Sequence, residues 1–211
     1  MNPFFAYDMH AAGAEPAAPW RALAEVLDDG PALRDRVARV RTVLAAGGGD
    51  VELRVAASVA HLGLAARILS PALALAVTGR VADYGGAWWQ PEMGGAFPLS
   101  LPEPQPGSFE SAVLNGPIAR LDHALDAFSV SEPIRRGNVA SALNGAATML
   151  KVEHPEWTSE VDALVAGLFA HPALAGTFSC EGGRFRRRSC CLIYRAAPGR
   201  AGPKCGDCVL T

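Results

Sequence analysis

Cysteine is rare in this chain except near its C-terminal end. Four of the five cysteines lie in the segment 189–210: Cys190, Cys191, Cys205 and Cys208. They form one adjacent pair and one Cys-Gly-Asp-Cys sequence. Thiolates gather in proteins for three main reasons: to form disulfides, to bind zinc, or to hold iron and sulfide. The spacing of the cysteines and the character of the rest of the chain bear on this choice.

Disulfide and dithiol chemistry are the weaker alternatives. The chain has 211 residues, half of them hydrophobic, so a core can form without covalent cross-links. The N-terminus lacks a basic region followed by an apolar segment, so we expect no secretory signal and a reducing cytoplasmic location. A thioredoxin-like dithiol needs a helix after its first cysteine, and only 209–211 follow Cys208. Val209 in place of histidine argues against haem attachment.

Zinc is the stronger rival to an iron–sulfur cluster. Structural zinc sites usually combine two Cys-x2-4-Cys turns, each of which brings two thiolates to one ion. Only Cys205 and Cys208 have that spacing, whereas the side chains of adjacent Cys190 and Cys191 diverge in regular backbone. A larger two-iron, two-sulfide body accommodates such a pair more easily. The spacing therefore favours a cluster but leaves zinc open.

The net charge of the chain is small, but positive charge is concentrated just before the first cysteine pair. A net charge of −2 provides no field that would attract nucleic acid or a membrane surface. Four arginines precede the first cysteine pair: Arg184, Arg186, Arg187 and Arg188. They could stabilise an anionic cluster, raise its reduction potential, and attract an acidic electron donor or an anionic chelate. The alternative is that they only solvate an edge strand or pair with Glu181. The abundance of Ala, Gly and Arg over Lys is typical of a high-GC bacterial coding bias.

The elements that must position this tail are mostly helical. Hydrophobic residues recur at helical spacing from Trp20 and again in the segments 33–44, 51–77, 109–128, 133–150 and 159–169. Asp50 is a candidate N-cap for the longest segment, and we expect Pro71 to kink or divide it. Charged residues interrupt that segment, so we predict no stable membrane insertion. We interpret His61, within it, as a histidine at the edge of the core.

A small β insertion interrupts the helical pattern around residues 84–103. Two short strands, near Ala87–Gln90 and Ala96–Leu101, are predicted to form a hairpin through the linker 91–95. Trp88 and Trp89 must point to opposite faces of such a strand, so at most one can lie in the core. Trp88 is therefore a candidate contact for a substrate or an electron donor; the alternative is that neighbouring helices cover both tryptophans. We find no phosphate-binding loop, dinucleotide fingerprint or nucleophile elbow.

The predicted fold is predominantly α, within the α+β class. It comprises a helical core, a small antiparallel β hairpin and a C-terminal cysteine-rich tail. We divide the chain into a loosely ordered leader at 1–19, a helical body at 20–180, and a cluster-binding tail at 181–211 packed on that body.

The cysteine pattern resembles the C-terminal end of the FhuF-like ferric siderophore reductase family. In that family, too, a Cys-Cys pair is followed by Cys-x-x-Cys close to the end of the chain. The sequence Arg136–Leu143 resembles a Gly-Asn-Val-Ala-Ser helix start in the family, and 62–71 is a second similar stretch. The resemblance covers the chain from about residue 50 to its end. The linker 192–204, with thirteen residues, is longer than the family pattern.

The resemblance implies a [2Fe-2S] cluster whose ligands are Cys190, Cys191, Cys205 and Cys208. Cys180 has no place in the pattern, and we take it as a buried or spare thiol. The implied activity is the one-electron reduction of a ferric siderophore of the hydroxamate type, with release of ferrous iron. A flavoprotein or ferredoxin would supply the electron. The alternative is a non-catalytic iron–sulfur or zinc-binding module that senses or carries.

Overall fold

The structure, a computed structural model, describes residues 2–93 and 96–210 and is about 53% helical. The prediction of a predominantly helical fold is confirmed. The α-helices are α1 Ala24–Leu27, α2 Pro31–Ala45, α3 Leu53–Val77, α4 Ala119–Ala124, α5 Glu132–Glu153 and α6 Thr158–Ala170. A π-helix, Glu110–Ile118, leads directly into α4, and a 3-10 turn, Leu125–Phe128, follows it. Shorter 3-10 turns occupy Pro155–Trp157, Ile193–Ala196 and Pro198–Arg200.

Eight short strands form three small sheets in the described part of the chain. The strands are β1 Asp8–His10, β2 Arg21–Ala22, β3 Arg80–Val81, β4 Trp88–Trp89, β5 Leu99–Pro102, β6 Gln105–Pro106, β7 Phe178–Glu181 and β8 Arg184–Arg187. The largest sheet has the order β1-β5-β4-β2, with β1 parallel to β5 and the other pairs antiparallel. The predicted hairpin is present as β4 and β5, although residues 94 and 95 of its linker lie outside the described residues.

Helix α3 is the centre of the core and packs most extensively against α5. By length and composition alone it could cross a membrane, but most of its apolar window is buried inside the protein. Two expectations about its course, a division at Pro71 and a cap at Asp50, were wrong. The helix continues through Pro71 without division, because neighbouring elements cover this stretch and hold the chain in place. It begins at Leu53 with Glu52 in the N-cap position, so Asp50 is not its cap, and the exposed Asp50 carboxylate lies 3.3 Å from Arg41.

The leader is tied to this core by Arg67 of α3. Residues 8–10, in the segment expected to be loosely ordered, pair with β5 as strand β1. The buried Arg67 guanidinium donates hydrogen bonds to the carbonyl oxygens of Phe97 at 2.7 Å, Phe4 at 2.9 Å and Ala6 at 2.6 Å. Burial lowers the pKa of Arg67 to about 10. One side chain therefore holds the leader and the β insertion against the same helix.

The β7–β8 hairpin carries the chain from α6 to the first cysteine pair, and the sequence analysis did not identify it. Its register pairs Phe178 with Arg187 and Cys180 with Phe185. The rings of Phe178 and Phe185 stack with centroids 4.9 Å apart, and Phe169 of α6 lies 4.3 Å from Phe178. This aromatic cluster fixes the hairpin on α6 and directs β8 toward α5.

Replacing Arg67 tests the anchoring of the leader. We expect Arg67→Met to lower the free energy of unfolding by about 3 kcal/mol, because three carbonyl groups lose their donor in a buried setting. The measurement is chemical denaturation followed by circular dichroism. Arg54→Met on the same helix is the matched control, since Arg54 is exposed and pairs with Glu52, and it should change stability by less than about 1 kcal/mol. Equal losses for the two variants would contradict the anchoring role.

Candidate metal centre

The four C-terminal cysteines lie together between the end of β8 and α3. The Sγ atoms of Cys191 and Cys205 are 3.5 Å apart, and none of the four cysteines forms a disulfide in the described structure. Each pair combines a buried with a half-exposed member: Cys191 and Cys208 are buried, whereas Cys190 and Cys205 are partly open to solvent. The two pairs, distant in sequence, thus form one thiol-lined site with a wall inside the protein and an edge at its surface.

One cysteine of each pair accepts a backbone hydrogen bond of the same kind. The backbone N–H of Leu192 donates to Cys190 Sγ at 3.3 Å, and that of Leu210 donates to Cys208 Sγ at 3.4 Å. In each case the donor is two residues after the cysteine. Leu192 has a positive φ of 69°, which turns the chain immediately after Cys191. Hydrogen bonds to sulfur stabilise the thiolate form that metals require.

Helix α5 holds the tail through one face that carries the Gly-Asn-Val-Ala-Ser sequence. Asn138 Oδ1 accepts a hydrogen bond from Arg187 Nη2 at 2.6 Å, and Ser141 Oγ donates to Asp207 Oδ2 at 2.6 Å. A Cβ on Gly137 would overlap the Ser189 hydroxyl and would lie 3.2 Å from Arg187 Nη2. The tail can therefore approach the helix only where there is no side chain. Helix α5 begins at Glu132, within one residue of the start predicted at Pro133, and this sequence lies in its N-terminal half.

The linker between the two cysteine pairs is packed rather than open. Its 3-10 turn at Ile193–Ala196 lies against α3, and Glu52 at the start of that helix accepts from Arg195 at 2.7 Å and pairs with Arg200 at 3.1 Å. A Cβ on Gly49 would come within 2.8 Å of the Ala196 carbonyl oxygen, so the chain passes close to the linker there. These contacts fix the linker against the N-terminal end of α3.

The electrostatics of the site disfavour ionised thiolates at Cys190 and Cys205 without a positive partner. Burial raises the pKa of Cys190, and the backbone N–H of Leu192 acts in the opposite direction. Burial and the neighbouring Cys191 raise the pKa of Cys205 to about 12. The Arg187 charge lowers the pKa of both thiols but does not outweigh these effects. A cationic body bound between the sulfur atoms would offset both burial and mutual repulsion.

The residues present fit a two-iron cluster. In the part of the chain that the structure describes, no group of three or more His, Cys, Asp or Glu side chains is arranged to hold one metal ion. In a [2Fe-2S] cluster each iron has only two thiolate ligands, so the four sulfur atoms need not converge on one point. Arg187 provides a second indication, because its buried Nε and Nη1 atoms have no hydrogen-bond partner in the described structure. An anionic cluster between the thiols could accept from such donors.

The arginines before the cysteine pair fall into two groups. Arg184 and Arg188 are exposed and Arg186 is half-buried, whereas Arg187 is only 1% exposed. The alternation follows from the β8 strand, in which successive side chains point to opposite faces. The sequence analysis treated these residues as one cluster, but they face different surroundings.

Two other residues singled out from the sequence lie apart from the thiols. Trp88 is half-buried in the sheet, where its ring stacks on His10 with centroids 3.7 Å apart, while Trp89 is in the core. The two tryptophans thus take opposite faces, as predicted. Cys180 is exposed on β7, so the expectation of a buried thiol was wrong.

Several polar residues beneath the site were not predicted as part of it. Ser58 Oγ donates to the Cys191 carbonyl oxygen at 2.9 Å, and Asn138 Nδ2 lies 3.1 Å from His61 Nδ1. His61 Nε2 is 2.8 Å from Asp122 Oδ1. His61 is fully buried, with a polar partner on each ring nitrogen, rather than at the edge of the core. The only signal for them in the sequence was the presence of the polar residues Ser58, His61 and Asn138 within otherwise apolar segments.

The site and its setting define a thiolate-rich metal protein, and comparison with known families makes the class specific. Residues 187–210 match the family model described as the FhuF 2Fe-2S C-terminal domain. The tail is therefore similar to that domain, and the match supports the FhuF-like siderophore reductase family and a [2Fe-2S] cluster as cofactor. The function is accordingly iron–sulfur based and siderophore-related. Comparison with curated proteins and with solved structures found no match.

Gly137 provides a test of how the tail is held. We expect Gly137→Ala to destabilise the protein by about 2 kcal/mol and to lower its iron content, because the added methyl group displaces Ser189 and Arg187. Gly145→Ala on the same helix is the matched control, because a Cβ there meets nothing within 4 Å. That control should keep full iron content and gain up to about 1 kcal/mol. Denaturation curves and iron analysis check both, and normal iron in Gly137→Ala would contradict the close-contact role.

Proposed function

We propose that this protein is a cytoplasmic ferric siderophore reductase that delivers one electron to chelated ferric iron. The observation that carries the proposal is the position of Cys205, which belongs to the thiol-lined site and also borders a groove on the protein surface. A redox centre at the base of such a groove can reach a bulky chelate without a deep pocket. The FhuF-type domain supports the same class of chemistry.

We propose four ligands for the [2Fe-2S] cluster: Cys190, Cys191, Cys205 and Cys208. When bound, such a cluster accepts and donates one electron at a time. The chain's own part is to hold the thiolates, to exclude water from the buried pair Cys191 and Cys208, and to leave an edge open at Cys190 and Cys205. Residues 181–211 would act as the cluster-binding unit, docked on the helical body.

The groove has a volume of about 350 Å³ and lies between the leader, α3 and α5. Its wall is mainly apolar, with Phe4, Leu62, Ala142 and Met149 among its members, and Asp207 is the one charged residue among the described residues that line it. No arginine or lysine of the described chain lines it, so a strongly anionic chelate gains nothing there. A ferric tris-hydroxamate is uncharged, because three hydroxamates balance the ferric ion. We therefore propose a hydroxamate-type siderophore as substrate.

The reaction consists of one electron transfer followed by loss of iron. Ferric iron is a hard cation in a cage of hard oxygen ligands, and one electron converts it to ferrous iron, which this cage holds more weakly. The ferrous ion then dissociates and the siderophore leaves with its hydroxamates. Since no bond to the protein forms, the groove needs only to bring the chelate close to the exposed thiolate edge.

The electron must come from an external donor, and the exposed arginines suit an acidic one. Arg184 and Arg188 are open to solvent, and Arg184 Nη2 lies 3.3 Å from the carbonyl oxygen of Gly206 inside the Cys-Gly-Asp-Cys sequence. Positive charge at this position would steer a flavoprotein or ferredoxin with an acidic surface toward the thiols. Donor and chelate would then use different surfaces around the same centre.

The ligand set is tested by single serine substitutions. We expect Cys191→Ser and Cys205→Ser to lose nearly all cluster iron and sulfide, because one of four thiolates is removed in each. Cys180→Ser should retain both, since Cys180 is exposed on β7 and provides a matched cysteine control. Iron and sulfide analysis of anaerobically purified protein, with its visible spectrum, provides the measurement. A colourless wild-type protein containing one equivalent of zinc would refute the cluster.

The activity is tested by filling the groove. Reduced wild-type protein should be reoxidised by a ferric tris-hydroxamate, with one ferrous ion trapped by a chelator for each electron. We expect Gly145→Phe to slow this reaction by about tenfold or more, because the ring occupies the groove at a position with free space. Gly145→Ala should react like wild type.

The controls separate a blocked groove from a damaged cluster. Gly145→Phe should keep the wild-type visible spectrum and its rate with hexacyanoferrate(III), a small oxidant that needs no groove. If reduced wild-type protein fails to react with any ferric siderophore, the protein is a non-catalytic iron–sulfur sensor or carrier. If Gly145→Phe reacts as fast as wild type, the chelate does not use this groove.

A further inference from the structure

Arg187 is the buried cation of the thiol site. Its side chain lies beneath the hairpin with 1% exposure, and no carboxylate forms an ion pair with it among the described residues. A guanidinium taken out of water without a counter-ion is costly, so buried arginines normally have an anionic partner. Only its Nη2 atom is satisfied, by Asn138 Oδ1 at 2.6 Å and the Ile134 carbonyl oxygen at 3.3 Å. Its Nε and Nη1 atoms are buried without a partner.

The strand that carries this cation lies beside the second cysteine pair. The Arg187 backbone N–H donates to the Asp207 carbonyl oxygen at 3.0 Å, so β8 runs beside the Cys-Gly-Asp-Cys sequence. The guanidinium charge also lowers the pKa of Cys190 in the first cysteine pair and of Cys205 in the second. A buried charge with two free donors is therefore within electrostatic range of one thiol from each half of the proposed ligand set.

We propose that Arg187 is the internal counter-ion of the cluster, that it donates its free N–H groups toward the sulfur atoms, and that Asn138 positions it there. This inference rests on the proposed ligand set. It assigns to one residue the field that the sequence suggested for four arginines. It also gives the Gly-Asn-Val-Ala-Ser sequence of α5 a role in setting the reduction potential.

The orientation of Asn138 is determined by its neighbours. Its Nδ2 atom donates to the Ser58 carbonyl oxygen at 3.0 Å and lies 3.1 Å from His61 Nδ1, so its Oδ1 atom must face Arg187. His61 Nδ1 then acts as acceptor, which leaves Nε2 to donate to Asp122 Oδ1 at 2.8 Å. A series of hydrogen bonds runs from Asp122 through His61 and Asn138 to Arg187, and its two middle side chains are buried. Asn138 Oδ1 therefore cannot rotate away from Arg187.

The sign of the effect follows from the charge change on reduction. A two-iron cluster with four thiolate ligands is anionic, and one more electron adds a further negative charge. A cation that is not screened by water favours the more negative state, so Arg187 raises the reduction potential. Exposed Arg184 and Arg188 act through water and salt, and their effect on the potential should be much smaller.

The test is a redox titration of purified protein followed by its visible spectrum. We expect Arg187→Met to lower the midpoint potential, with the equilibrium constant for reduction falling by about tenfold or more. Arg187→Lys should recover most of that loss, since the charge remains. Asn138→Leu should shift the potential in the same direction as Arg187→Met, because the guanidinium loses its fixed acceptor. Arg184→Met, an arginine on the same strand, is the matched control and should leave the potential unchanged.

The outcomes separate this inference from the proposed ligand set. Equal potentials for Arg187→Met and Arg184→Met, with full iron in both, would overturn the role of Arg187 and leave the ligands intact. If Arg187→Met retains no iron, Arg187→Lys decides: wild-type iron together with a potential close to that of wild type supports a charge effect. If Arg187→Lys binds wild-type amounts of iron but its midpoint potential is equal to or below that of Asn138→Leu, the charge effect is refuted. Loss of iron from Arg187→Lys as well would show a structural role only and would also overturn the inference.

Discussion

The hydrogen bond between Arg187 and Asn138 brings a positive charge into the contact between the cysteine tail and α5. A buried guanidinium tolerates few arrangements, because each of its donors that lacks a partner costs free energy. The tail must therefore dock in the register that gives Arg187 its acceptor. The backbone N–H of the same residue bonds to Asp207, so this register also places the second cysteine pair beside the first. The shape of the thiol site thus depends on one side chain that is not itself a ligand.

The two central helices contribute differently to this arrangement. Helix α5 presents a glycine, an amide and a hydroxyl on one face, which together provide room for the tail and hydrogen bonds to it. Helix α3 supports the cysteine pair from below through Ser58 and fixes the linker through Glu52 at its start. The result is an asymmetric site, with Cys191 and Cys208 toward the core and Cys190 and Cys205 toward solvent. Such asymmetry suits outer-sphere electron transfer, because one edge stays accessible while the other is dry.

The surfaces around the site differ in character. The groove at Cys205 is mainly apolar, and no arginine or lysine of the described chain lines it. The β7–β8 hairpin, by contrast, exposes Arg184 and Arg188. In the proposed reductase the first surface suits an uncharged chelate and the second an acidic donor. The buried Arg187 belongs to neither, since solvent does not reach it. Because side chains alternate along the strand, Arg187, proposed to affect the reduction potential, is separated from Arg184 and Arg188, proposed to affect binding of the electron donor.

The residue types and their spacing were sufficient to predict much of this protein. Crowded cysteines, an adjacent pair and a Cys-x-x-Cys sequence indicated an iron–sulfur tail, and hydrophobic periodicity predicted the helices and the tryptophan hairpin. These are local signals, readable within a few residues of the chain. The pairing of β1 with β5, the continuity of α3 through Pro71, the β7–β8 hairpin and the full burial of His61 were not predicted, because each depends on packing between distant segments.

The sequence by itself determined which atoms are available to hold a cluster, since only cysteine sulfur at this density supplies such ligands. Only the tertiary structure decided how that set is used. It buried Arg187 and exposed Arg184 and Arg188, although all three are arginines within five positions of each other. The reason is physical: the side chains of a strand alternate between two faces, and only the docking of β8 against α5 determines which face meets the core.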